Sequence, residues 1–262
     1  CHRKWGGGNA RFQLLATLEL PETGALGVRP GQGTFGMAGG KILAAGDPYR
    51  SVLFFRMSKL GAGRMPRIGS SVVDPIGTQL IHDWIADLPS ASPDSSVARS
   101  RGETAVALKA LKSAGSPAAR GLQIDSLLGT TPGSIRLLQA AGRDELTPAT
   151  RQQVIRSATA HTSATVRDLF EKYLPEEKRV KRLGTTIKPA GILALPGDIS
   201  RGRDVFFKTD GVQCRNCHKI AGQGKEVGPD LSGVGKKFTR AQILESILLP
   251  SKKIEPKWLT YV

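Results

Sequence analysis

Apolar side chains recur at helical spacing through much of the chain. From Thr78 to Leu88, the residues Leu80, Ile81, Trp84, Ile85 and Leu88 stand at i, i+1, i+4, i+5 and i+8, which predicts an amphipathic helix with one packed face. Shorter helical patterns are predicted at 103–114, 117–128, 132–141, 148–159 and 164–174, separated by Gly, Pro, Ser and Thr. The last of these has Ser163 as its cap and Val166, Leu169, Phe170, Tyr173 and Leu174 as its buried stripe. Residues 89–102, rich in Ser, Pro, Ala and Arg, read as a linker and place a domain boundary near residue 90. Farther on, Asp198-Ile199-Ser200 caps a helix that carries Phe206 and Phe207 and stops by Gly211. Another helix starts at Thr239, with Ile243, Leu244, Ile247 and Leu248 on one stripe. The expected fold class is mainly α, in three parts at 1–90, 91–197 and 198–262. A HEAT-like stack is one reading of the middle part, although no fixed period repeats along it.

Composition changes this picture in two ways. No uninterrupted apolar run approaches the roughly 18 residues of a membrane span, so no transmembrane segment is expected. Aromatic residues make up only 5% of the 262, against 31 Gly and 16 Pro, so a large ordered core needs help beyond aliphatic burial, and a bound cofactor would supply it. The net charge of +16 would suit nucleic acid, an anionic membrane surface or an acidic protein partner. The excess is spread, however, as +4 over residues 1–90, +7 over 91–197 and +5 over 198–262. The densest cluster, Glu176, Glu177, Lys178, Arg179, Lys181 and Arg182, mixes both signs. A solvated surface that steers an acidic partner is therefore preferred to a nucleic-acid scaffold, which stands as an alternative. Because the chain begins with Cys1 and has no basic-then-apolar leader, it is expected to be a piece of a longer protein.

Of three cysteines, two fall in one pentapeptide, Cys214-Arg215-Asn216-Cys217-His218. C-x-x-C followed at once by His is the attachment signature of a c-type haem: two thiols reach the two vinyl groups and the next imidazole meets the iron. On one helical turn the two Cys side chains share a side, and His218 is carried under the ring. A zinc site would want further ligands, but Cys1, His2, His82 and His161 are scattered. A redox dithiol would want its motif at a strand end in a βαβ unit, whereas a short helix precedes Cys214. No Ser-His-Asp set, phosphate loop or paired-carboxylate motif stands out. His82 reads as a hydrogen-bonded structural residue and His161 as part of a polar turn, and neither is assigned to iron.

With Gly228-Pro229-Asp230-Leu231 and Gly233-Val234-Gly235 downstream, the region resembles class I cytochrome c. That resemblance implies that the carbonyl of Pro229 accepts the ring N–H of His218, an outer contact that fixes the tautomer. Cys1-His2 looks like the tail of another such motif, and Arg64-Met65-Pro66 offers Met65 as its second axial ligand. Residues 1–90 would then be the C-terminal part of one cytochrome c-like domain and 198–262 the N-terminal part of a second. The stretches Gly46 to Ser51, Arg64 to Pro66, Val166 to Gly184 and Gly202 to Lys253 are similar to c-type haem-binding proteins of the planctomycete and verrucomicrobial kind. The resemblance implies haem c, an exported (periplasmic) location, single-electron transfer with a redox partner, and a dehydrogenase module in the same full-length chain. Met37, Met57 and Met65 all precede Cys214. Either the sixth ligand of the second haem follows Val262, or that iron is open, as in a haem enzyme or gas sensor.

Overall fold

The computed structural model describes residues 2, 11–66, 72–90, 95–180, 187–208, 214–249 and 252; Cys1 and the helix stop expected at Gly211 lie outside them. The chain is mainly helical and divides into two compact units, a larger one of Ala25–Val180 and a smaller one of Cys1–Gly24 with Lys181–Val262.

The larger unit opens with loops and α1 (Val52–Ser58), followed by α2 (Pro75–Asp87) and five helices: α3 (Ser95–Ser113), α4 (Pro117–Leu128), α5 (Thr131–Gly142), α6 (Pro148–Thr159) and α7 (Ala164–Phe170). The starts of α4, α5 and α6 share one device. Ser116, Thr130 and Thr147 each turn a side-chain oxygen onto an otherwise unpartnered backbone N–H, at 3.1, 3.1 and 3.3 Å, and a proline follows within the first two helical positions. Ser163 holds the same position before α7 but offers its carbonyl instead, and its own N–H donates to His161 Nδ1 at 3.1 Å. The helices bury an aliphatic core that includes Leu111, Ile124, Leu127, Ile135, Leu137, Val154, Leu169 and Phe170. The stripe expected to continue through Tyr173 and Leu174 leaves the α-helix at Phe170 for a 3-10 turn, Glu171–Tyr173.

Two sequence expectations need correction. The linker at 89–102 is helical from Ser95 onward, because Val97 is buried and the Ser-rich start is a helix N-terminal turn. In α2 the apolar stripe is rotated from the expected face: His82 and Ile85 are buried, while Leu80 is 68% exposed and Trp84 39%. The rings of Tyr49 and Phe54 each meet His82 edge-on at 5.5 Å, and that packing selects the inner face.

The loop segment is fastened to the helices by buried polar contacts. Lys59 is only 2% exposed, and its ammonium lies 2.9 Å from Asp168 of α7 and 2.6 Å from the carbonyl of Ala62. The N–H of Leu60 donates to the carbonyl of Asp168 at 2.9 Å. Gly61, at φ +74°, leaves room for this pair, since a Cβ there would stand 2.4 Å from the Asp168 carboxylate. Gly61→Ala is therefore expected to lower the unfolding free energy by about 3 kcal/mol, the scale on which breaking a buried ion pair costs, read from the urea midpoint.

His82 lies between Tyr49, whose hydroxyl is 3.1 Å from Nε2, and Asp83, whose carboxylate is 2.7 Å from Nδ1. Burial lowers its pKa, Asp83 opposes the shift, and Arg143 reinforces it. The unfolded chain thus takes up this proton more readily than the folded one. Stability conferred by neutral His82 is complete above the ordinary imidazole value of about 6.5 and declines as pH falls below it. Urea midpoints measured down to about pH 5 are expected to drop, and His82→Gln is expected to flatten that part of the profile.

The smaller unit contains α8 (Pro189–Leu193), α9 (Ile199–Lys208), α10 (Val234–Lys237) and α11 (Arg240–Leu248), with a short hairpin of β1 (Lys219–Ile220) and β2 (Gln223–Gly224) between α9 and α10 in the chain. The expected starts hold: Asp198 Oδ1 accepts from Arg201 N at 2.9 Å, and Thr239 forms a reciprocal capping box with Gln242.

Candidate functional site

The pentapeptide Cys214 to His218 folds as one tight turn. Cys214–Asn216 is a 3-10 helix, and the carbonyl of Cys214 accepts from the N–H of Cys217 at 3.1 Å and of His218 at 3.0 Å. Both thiols are free and half-buried. The antiparallel hairpin then folds back, so that Gly228 N donates to Cys217 O at 2.7 Å and Lys225 N to Arg215 O at 3.1 Å.

This return brings Pro229 over the imidazole, with Nδ1 of His218 2.9 Å from the Pro229 carbonyl oxygen. A carbonyl only accepts, so Nδ1 carries the hydrogen and Nε2 keeps a lone pair available to a metal. The contact implied by the family resemblance is thus present.

Two glycines make the approach possible: Gly228, which sequence reasoning named without a role, and Gly224, which it missed. At Gly228 an added Cβ would lie 2.8 Å from His218 Cε1 and 3.0 Å from Nδ1, so only glycine lets the chain pass against the ring. At Gly224, φ is +109° and an added Cβ would lie 2.2 Å from the carbonyl oxygen of His218. The G-x-x-x-G-P spacing was the available signal. Around them, Ser232 accepts from Ala221 N at 2.8 Å and donates to Asp230, whose pKa is lowered by that hydrogen bond. Lys219 pairs with Glu226, and that hydrogen bond raises the lysine pKa.

The site suits a covalent haem. Its two thiols lie on one turn, its imidazole has a fixed tautomer, and apolar residues of the same unit stand in the open: Ile247 is 70% exposed, and Phe238 and Val205 are exposed too. A large apolar plate would cover such surface. Among the described residues no group of three or more His, Cys, Asp or Glu converges as a metal cage, so the zinc reading finds no ligand set there.

The remaining expected site residues lie elsewhere. His2 belongs to the smaller unit, where its ring stacks on Phe12 at 4.5 Å. Met65 belongs to the larger unit, half-buried, with its N–H donating to Arg56 O at 2.9 Å. Met37 is a core residue.

Residues 199–260 match the family model for cytochrome c. No curated protein and no solved structure matches the chain. A cytochrome c domain there implies covalently bound haem c and electron transfer with a redox partner. No helix among the described residues is long and apolar enough to cross a membrane.

Gly228→Ala is expected to push the imidazole off Pro229 while leaving the thiols in place. In the haem-loaded protein, added imidazole should then displace His218 at a concentration roughly 10–100-fold lower than in wild type, the usual scale for losing an outer-shell partner, followed by absorption titration.

Proposed function

We propose that the segment from residue 198 onward is an electron-carrying c-type cytochrome domain of a longer exported protein, with Cys214 and Cys217 as thioether attachment points and His218 as the proximal iron ligand. The hydrogen bond from His218 Nδ1 to the Pro229 carbonyl carries this reading, because it leaves Nε2 as the ring's only metal-binding atom. Bound haem c supplies a one-electron ferric/ferrous couple and no group-transfer chemistry. The chain's own part is to orient the imidazole through Pro229 and to keep the ring from turning by packing Gly228 against it. Its net positive charge favours an acidic redox partner.

From the motif pattern we also infer that Cys1-His2 is the remainder of a second C-x-x-C-H motif with Met65 as sixth ligand, in a domain spanning 1–90. Residues 91–197 then form the helical connection, in the arrangement of planctomycete and verrucomicrobial haem proteins joined to a dehydrogenase module. Support for this part comes from the sequence alone.

Expression with a cytochrome maturation system tests the attachment. Wild type is expected to keep haem stain after denaturing electrophoresis, whereas Cys214→Ala with Cys217→Ala loses it. His218→Ala is expected to keep the stain but change the reduced absorption spectrum. Equal retention of haem by the double variant and wild type would remove the basis for the reading.

A further inference from the structure

The larger unit holds a cavity of about 370 Å³ between the 3-10 turn Pro48–Arg50, α3 and α5, and no residue assigned above to haem lines it. Three guanidinium groups line it, those of Arg50, Arg101 and Arg136, with a single carboxylate, Asp47. Asp47 is only 2% exposed, and its Oδ2 is held by Arg50 Nε at 2.9 Å. Arg101 stands farther from the same oxygen, at 3.8 Å, with its side chain half exposed. The guanidinium of Arg136 lies 5.0 Å over the ring of Tyr49 and donates to that hydroxyl, with Glu145, which does not line the cavity, in electrostatic reach.

One negative charge among three positive ones leaves the wall with an excess of two, partly shielded from water. Like charges gathered this way repel one another, and an anion in the cavity relieves that cost. The hydroxyl of Tyr49 is fixed from behind by Gln139 Oε1 at 2.5 Å and His82 Nε2 at 3.1 Å, so Arg136 is positioned rather than loose. The N-terminal end of α5 borders the cavity through Thr130 and Pro132 and adds the positive end of its dipole. Guanidinium forks match carboxylate and phosphate oxygens, and the volume is that of a small-molecule site.

We propose that this cavity binds a small organic dianion, a dicarboxylate or a phosphate monoester, through Arg101 and Arg136. Arg50 stays with Asp47, which keeps that buried carboxylate from repelling the ligand. None of the residues that line it is assigned above to haem.

The test uses the whole haem-loaded chain at constant ionic strength, titrated calorimetrically with succinate and, separately, with inorganic phosphate. Wild type and Arg99→Gln, whose side chain is exposed outside the cavity, are expected to bind at least one of the two anions saturably at one site. Arg101→Gln is expected to weaken that binding by about tenfold or more, the loss expected for a charge-assisted hydrogen bond. The stronger of the two titrations identifies the ligand as carboxylate or phosphate. Binding that is absent in wild type for both anions, or equal in all three proteins, overturns the proposal. Among the described residues Arg101 makes one ion contact, a long one, so its substitution is not expected to unfold the chain, which circular dichroism verifies in the same samples.

Discussion

The smaller unit is organised by one hydrogen bond, from the Nδ1–H of His218 to the carbonyl of Pro229. Imidazole has two nitrogens and, when neutral, a single hydrogen between them, so whichever nitrogen meets an acceptor decides which one is left to meet a metal. Everything nearby serves to hold that acceptor in place. The hairpin turns the chain back, Gly228 lets it lie against the ring, and Ser232 and Asp230 tie the following loop to Ala221. A cysteine pair on one turn is common chemistry; a cysteine pair whose neighbouring histidine has a fixed tautomer is much more restrictive.

The two units are stabilised differently. In Ala25–Val180 a continuous set of Leu, Ile, Val and Phe side chains is withdrawn from water, and short capped helices pack around it. Near the cysteine motif, by contrast, α9, α10 and α11 contribute no buried residue: Ile199, Val205 and Ile247 are exposed, and Phe206, Phe207, Ile243 and Leu244 only half-buried. At roughly 25 cal/mol for each Å² of apolar surface removed from water, a porphyrin laid on those residues would do for this unit what aliphatic packing does for the other. Cofactor attachment and core formation would then be the same event.

Much of this was legible before any coordinates. Helical spacing broken by Gly, Pro, Ser and Thr marked the helices near 117, 132 and 148, because such breaks act through the local backbone and need no tertiary partner. Cys214, Cys217 and His218 were legible for the same reason: their spacing is itself the geometry. Features decided by distant packing were not. The inner face of α2 depends on Tyr49 and Phe54, some thirty residues earlier, and periodicity alone chose a neighbouring face. The helical start at Ser95 looked like a linker because Ser and Ala favour several local states until Val97 finds a buried place. Gly224 and Gly228 gave a spacing but no direction, and the meeting of Arg50, Arg101 and Arg136 joins positions too far apart in sequence to be read as a group.

The ion pair between Lys59 and Asp168 bears on how this polypeptide can be divided or inherited. A chain severed near residue 90 would leave an ammonium group lying 5.4 Å over the ring of Phe55 with its counter-charge on the other piece. Exchange of either half between proteins by recombination would meet the same obstacle unless both partners travelled together. The loop-rich segment and the helices after it are thus expected to be kept together, since the charge of Lys59 is balanced across that division.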